Sequence, residues 1–150
     1  MDKMLKNTMI RIEENSLDLD IYLKLRASVG WKTLSEKQAL MALKNSIYTV
    51  VAYIDDKAVG MGRMVGDGAV ICYIQDLVVH PSYQRLGVGE ALMRRLIGHA
   101  KDLRLPDTEL MLCLMCAKGR ESFYTRYGFI PRPTDELGPG MILYCKNEDK

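Results

Sequence analysis

The sequence predicts an α/β chain of the α+β kind, with helices packed on a mixed sheet, and three observations carry that prediction. Before Tyr48 apolar residues recur at helical spacing. From Tyr48 to Val79 the pattern changes to β-branched and aromatic runs divided by tight turns. A strand, helix, strand passage then follows. Hairpins followed by a crossover imply a mixed sheet rather than a purely parallel one. At 150 residues, the chain is expected to be a single domain spanning 1–150, with a core of useful size.

The elements follow in order. A short strand is expected near residues 9–13. Leu17, Ile21, Leu25 and Val29 lie at intervals of four and line one face of a helix that Gly30 ends. Ser35 precedes a second helix over 36–46, with Gln38 at the capping-box position and Leu40, Leu43 and Ile47 as its apolar stripe. Residues 48–54 read as a strand, Asp55-Asp56 as a turn and 58–65 as the next strand. Gly66-Asp67-Gly68 turns the chain again, and 69–79 reads as a long strand stopped by His80-Pro81.

Residues 87–103 form a long helical pattern, with Val88, Leu92, Leu96, Ala100 and Leu103 on one face and Pro106 beyond its end. A strand is expected over 109–116, a short helix over 120–127 closed by Gly128, and a last strand over 141–145. Residues 1–8 and 146–150 are expected to fray.

Composition excludes several classes. Hydrophobic residues at 48% and charged residues at 27% describe an ordinary globular chain. A net charge of +2 without a run of five like charges gives no footprint for nucleic acid. No apolar stretch approaches the ~20 residues that span a bilayer, so no membrane partner is expected and the location is expected to be cytoplasmic. Cys72, Cys113, Cys116 and Cys145 lie in or beside apolar runs, as reduced buried thiols do. Cys113 and Cys116 form a CxxC, but within a strand pattern, with His80 and His99 as the only histidines, so no metal site is expected.

The informative stretch is residues 74–92. A strand, a short loop and a helix start occur in sequence, with glycines at 87 and 89 that let the backbone approach a ligand closely. The first helical turn offers unpaired N–H groups and the positive end of the helix dipole to an anion. Position 92 is Leu, where a dinucleotide fold would need a third small residue. No Gly-Lys-Ser/Thr follows, as a P-loop would require.

Gln84-Arg85-Leu86-Gly87-Val88-Gly89 resembles the Gln/Arg-x-x-Gly-x-Gly/Ala pattern of the GNAT superfamily of N-acetyltransferases. The resemblance extends upstream through residues 76–83 and downstream to Phe123-Tyr124-Thr125-Arg126-Tyr127-Gly128-Phe129, similar to the family's Phe-Tyr-x-x-x-Gly-Phe. It implies a GNAT-like fold: a twisted, mostly antiparallel sheet of six to seven strands with about four helices on both faces. It further implies acetyl-CoA as co-substrate, with the backbone of Leu77, Val78 and Val79 holding the pantetheine arm. Gln84 and the amides of Arg85, Leu86, Gly87, Val88, Gly89 and Glu90 would surround the pyrophosphate. Leu86 and Gly119 depart from the family's usual side chains.

Acyl transfer from a thioester needs a neutral amine, a stabilised oxyanion and a proton for the leaving thiolate, but no protein nucleophile. The resemblance implies Tyr124 as the general acid, and a phenol of pKa about 10 can protonate a thiolate whose acid is near 8.5. Val78 N–H is a candidate oxyanion donor. Asp76 is the candidate base, acting through water or the local field, with Tyr73 and His80 behind it.

Leu25-Arg26-Ala27-Ser28-Val29-Gly30-Trp31 and the ending Gly140-Met141 are similar to the plant and bacterial serotonin N-acetyltransferase-like branch, which implies an arylalkylamine or another small primary amine as acceptor. Trp31 and Tyr73 are then candidates to line its pocket, with Asp135 or Glu136 attracting its ammonium. A protein or peptide amine, a catalytically silent acyl-CoA binder and a homodimer stay open.

Overall fold

The computed structural model describes residues 9–147. The expectations for residues 1–8 and 148–150 lie outside the described residues. Contacts divide the chain into a larger unit running to Met115 and a smaller one beginning at Cys116.

In the larger unit five strands lie in the order of the sequence: β1 (Arg11–Glu14), β2 (Tyr48–Ile54), β3 (Lys57–Gly66), β4 (Ile71–Val79) and β5 (Met111–Leu114). The first four pair antiparallel, and β4 with β5 is parallel. The β3–β4 turn is tied by Asp67, whose Oδ1 accepts from the backbone N–H of Ala69, Val70 and Ile71 at 2.8, 2.8 and 3.0 Å. Three helices belong to this unit: α1 (Leu19–Ser28), α2 (Glu36–Lys44) and α3 (Val88–Leu103). Asp18 caps α1 by accepting from Ile21 N–H at 2.9 Å, and Ser35 caps α2 by accepting from Gln38 N–H at 3.1 Å.

The two faces of the sheet are covered by different helices. On one face Tyr22 and Leu25 of α1, Ala39 of α2, Val51, Met61 and Val78 form a buried cluster. On the other, Gly60 of β3 lies beneath α3: a Cβ built on Gly60 would stand 2.8 Å from Val88 Cγ1 and 3.0 Å from Leu92 Cδ1. Val88, Leu92, Leu96 and Ala100 are buried along α3 as the spacing predicts, and Met93 joins them.

Two expectations need correction. In α2 the buried residue is Ala39, while Leu40 is 48% exposed and Met41 56%. The helix meets the core cluster through the small Ala39, with Leu43 partly buried against it, while Leu40 and Met41 turn outward. Residues 141–145 form no strand, and the described sheet has five strands rather than six to seven. Met141, Ile142, Leu143 and Tyr144 are all exposed. An apolar run becomes a strand only when a neighbouring edge takes up its backbone groups, and no described strand does so here.

The smaller unit contains one short helix, α4 (Glu121–Thr125), shorter than the expected 120–127. Gly128, with φ of 98°, is the last residue of the turn that follows it.

Candidate functional site

The site in the larger unit begins where β4 stops being an ordinary strand. Met61 pairs with Val78 and Arg63 with Gln75, so Gly62 opposes one residue more than a regular ladder allows. The extra residue makes a β-bulge, and Asp76 within it has the left-handed φ of 58°. Pairing with β5 reaches only Ile74–Leu114. From Gln75 to Val79 that edge of β4 has no strand partner among the described residues.

Ladder geometry decides which groups face the open edge. His80 N–H donates to Val59 O at 2.7 Å, so His80 faces β3. Alternate residues point opposite ways, which places Val78 toward β3 as well and turns the amides of Leu77 and Val79 outward. Gln84 Nε2 reaches Val79 O at 3.4 Å, in keeping with that direction. The Val78 N–H, expected as an oxyanion donor, therefore faces Met61 in the ladder.

Beyond the strand, a 3₁₀ turn (Pro81–Tyr83) leads into α3. His80 Nδ1 caps this turn by accepting from Ser82 N–H at 3.1 Å. Arg85 and Gly87 both have positive φ, 65° and 89°. Gly87 is the N-cap and supplies no side-chain oxygen to the first turn. The first intrahelical bond is Ala91 N–H to Gly87 O at 3.0 Å, which leaves the amides of Val88, Gly89 and Glu90 at the open helix end. Left-handed residues beside a helix start are the geometry in which successive N–H groups converge on an anion. Gly60 joins this end to the strand, because its backbone pairs with Val79 while its missing Cβ makes room for Val88.

Asp76 sits differently from a free base. Its side chain is 1% exposed, and four side chains donate to it: Tyr22 Oη at 2.5 Å, Arg26 Nη1 at 2.8 Å, Arg63 Nε at 3.1 Å and Gln75 Nε2 at 3.5 Å. Sequence reading missed Arg26 and Arg63 as partners. The available signal was Arg63 itself, a cation inside an apolar strand that requires a counter-charge. Trp31 follows α1 and is 40% exposed, with the Arg26 guanidinium 5.3 Å from its ring centroid. Burial pushes the Tyr73 phenol up, opposed by a backbone hydrogen bond from Met115. Burial also pushes up the Cys113 thiol, with Cys72 adding to it, so this strand cysteine stays protonated.

In the smaller unit Tyr124 lies on α4, its ring edge-on to Phe123 at 5.0 Å and to Phe129 at 6.1 Å. It is half-buried, as are Phe123 and Tyr127. Burial raises the Tyr124 phenol first, Cys116 adds to the rise and Arg120 opposes it. Asp135 and Glu136 are exposed. Among the described residues no group of three potential ligands could hold a metal ion, and no helix is long and apolar enough to cross a membrane.

A strand edge open for a few residues thus lies next to a helix start that presents its amides. The acetyltransferase (GNAT) domain family matches residues 45–131, and the chain belongs to it. It is 33% identical to the N-acetyltransferase ycf52 of Pyropia yezoensis, over 74% of this chain and 64% of that protein. It is also 33% identical to the chloroplastic serotonin N-acetyltransferase 2 of Oryza sativa subsp. japonica, over 90% of this chain and 66% of that one. The chain thus spans just under two thirds of each. A GNAT family acetyltransferase from Streptococcus pneumoniae has the same fold, with a TM-score of 0.78 and 32% identity over 93% of this chain and all of the other.

Proposed function

We propose that the protein is an acetyl-CoA-dependent N-acetyltransferase that acetylates a small primary amine by direct attack on the thioester. The observation that carries this reading is the bulged, open edge of β4 beside the uncapped start of α3. Leu77 and Val79 hold the pantetheine arm through their outward amides, one of which steadies the thioester oxygen as it becomes an oxyanion. Gln84 and the amides from Arg85 to Glu90, including Leu86, Gly87, Val88 and Gly89, hold the pyrophosphate. The amine nitrogen bonds to the acetyl carbon, the C–S bond breaks, and the phenol of Tyr124 gives its proton to the departing thiolate.

Asp76 takes no proton in this scheme. With two guanidiniums, a phenol and the Gln75 amide on its two oxygens, its acceptor sites are taken up, and the amine instead loses its proton to water. Tyr73 and the half-exposed Trp31 are kept as acceptor-lining candidates. The name of the rice relative favours an arylalkylamine. The thiols suit the cytoplasm, whereas the name of the rice relative, chloroplastic, favours a plastid.

The test is thiol release from acetyl-CoA against a panel of arylalkylamines, polyamines, aminoglycosides, amino acids and a Lys peptide. Release with the arylalkylamines supports the whole reading. Release only with the Lys peptide moves the acceptor to proteins. CoA binding without release from any amine leaves a silent binder, and failure to bind CoA overturns the reading.

A further inference from the structure

Asp76, Arg26, Arg63 and Tyr22 are not required by the chemistry just described, yet they make up a buried polar cluster next to it. The side chains of Arg26 and Arg63 are 12% and 10% exposed. Arg63 Nη1 also donates to Ala42 O and to Ser46 Oγ, both at 3.2 Å. One carboxylate in the bulge is thereby tied to α1 through Tyr22 and Arg26, to β3 through Arg63 and, by way of Arg63, to the end of α2.

An apolar filling would hold these elements together at lower desolvation cost, so burying two cations on one anion calls for another reason. The location supplies one. A non-glycine residue at φ of 58° keeps that conformation only when its surroundings determine it, and Asp76 immediately precedes the first outward amide of the open edge. Building on the acetyl-CoA reading, we propose that the Arg26–Asp76–Arg63 cluster, completed by Tyr22, is a positioning device. It fixes the bulge that aims the Leu77 and Val79 amides at the thioester. None of the four residues touches substrate.

Removing the carboxylate would leave two cations facing each other without a counter-charge. They repel, α1 and β3 part from the bulge, and the outward amides shift. A misplacement of about 1 Å at reacting groups costs about a hundredfold in rate.

Asp76→Asn separates the roles, because Asn tolerates left-handed φ at least as well as Asp and only the charge is lost. Wild type and variant are compared by calorimetry with CoA, by steady-state kinetics across pH and by thermal melting. The expected result is CoA affinity weakened about tenfold, kcat lowered about a hundredfold and a pH profile of unchanged shape. Adding Arg63→Gln to Asp76→Asn removes the stranded cation and is expected to recover CoA affinity severalfold, a non-additive pair.

A lower melting temperature with CoA affinity and kcat intact would reduce the cluster to a structural support. Loss of kcat alone, with loss of the rising pH limb, would restore Asp76 as base. Either result overturns the proposal. If Asp76→Asn does not fold, Tyr22→Phe keeps both charges and removes one hydrogen bond. About threefold weaker CoA binding is then expected, and an unchanged affinity overturns the proposal. A wild type that neither binds CoA nor releases thiol overturns the acetyltransferase reading itself, and is told apart because no variant is involved.

Discussion

Tyr124 combines two effects that pull in opposite directions. A general acid must be protonated to act, and that form exists below its pKa. Burial sets the Tyr124 phenol above its usual value of about 10, so the proton is held at every pH where an amine acceptor can be assayed. The same shift makes it a weaker donor, which puts its contribution at the low end of what general acids supply. Tyr124→Phe is therefore expected to lower kcat about a hundredfold with little change in KM for acetyl-CoA. In the wild type kcat/KM rises with pH as the amine loses its proton and does not fall below about pH 10. A fall beginning near pH 8.5, or full activity in the Phe variant, would assign the acid to another group.

At the scale of elements, Gly60 links the strand edge to the helix start. A Cβ there would lie 2.8 Å from Val88 Cγ1 and 3.1 Å from the backbone oxygen of Val78, so both halves of the proposed CoA site would have to shift. Gly60→Ala is expected to destabilise the fold by about 1–3 kcal/mol and to weaken CoA binding measured by calorimetry well below the melting temperature. Stability lost with affinity intact would show that α3 and β4 yield independently.

The same scale explains what could be read from sequence. Strands β2 to β4 and helix α3 were legible because their patterns repeat over many residues, and the glycines marked where the backbone turns or approaches. The anchorage of Asp76 was not, because its partner Arg26 lies 50 positions away and nothing local pairs them. The face of α2 was misread because burial there follows the small Ala39 and not the larger Leu40. Residues 141–145 carried the composition of a strand, but composition does not reveal whether an edge will accept it.

For the molecule as a whole, the family match over residues 45–131 crosses the boundary between the two units at Met115. The smaller unit lies below the ~40 residues at which a chain commonly folds unaided, and its described cysteines form no disulfide. It is therefore expected to lose its helix in the same transition as the larger unit, as one domain would. A ligand that binds only the folded form and is present at a hundred times its dissociation constant adds about 2.7 kcal/mol. For a chain of this size that corresponds to a rise in Tm of about 5–10 °C. Trp31, the only tryptophan, lies in the larger unit and reports on it by emission, while hydrogen exchange over residues 121–125 reports on the smaller one. CoA should raise both transitions together. A rise confined to Trp31 would show two separately folding units with CoA held by the first alone. No rise in either would remove CoA from the site.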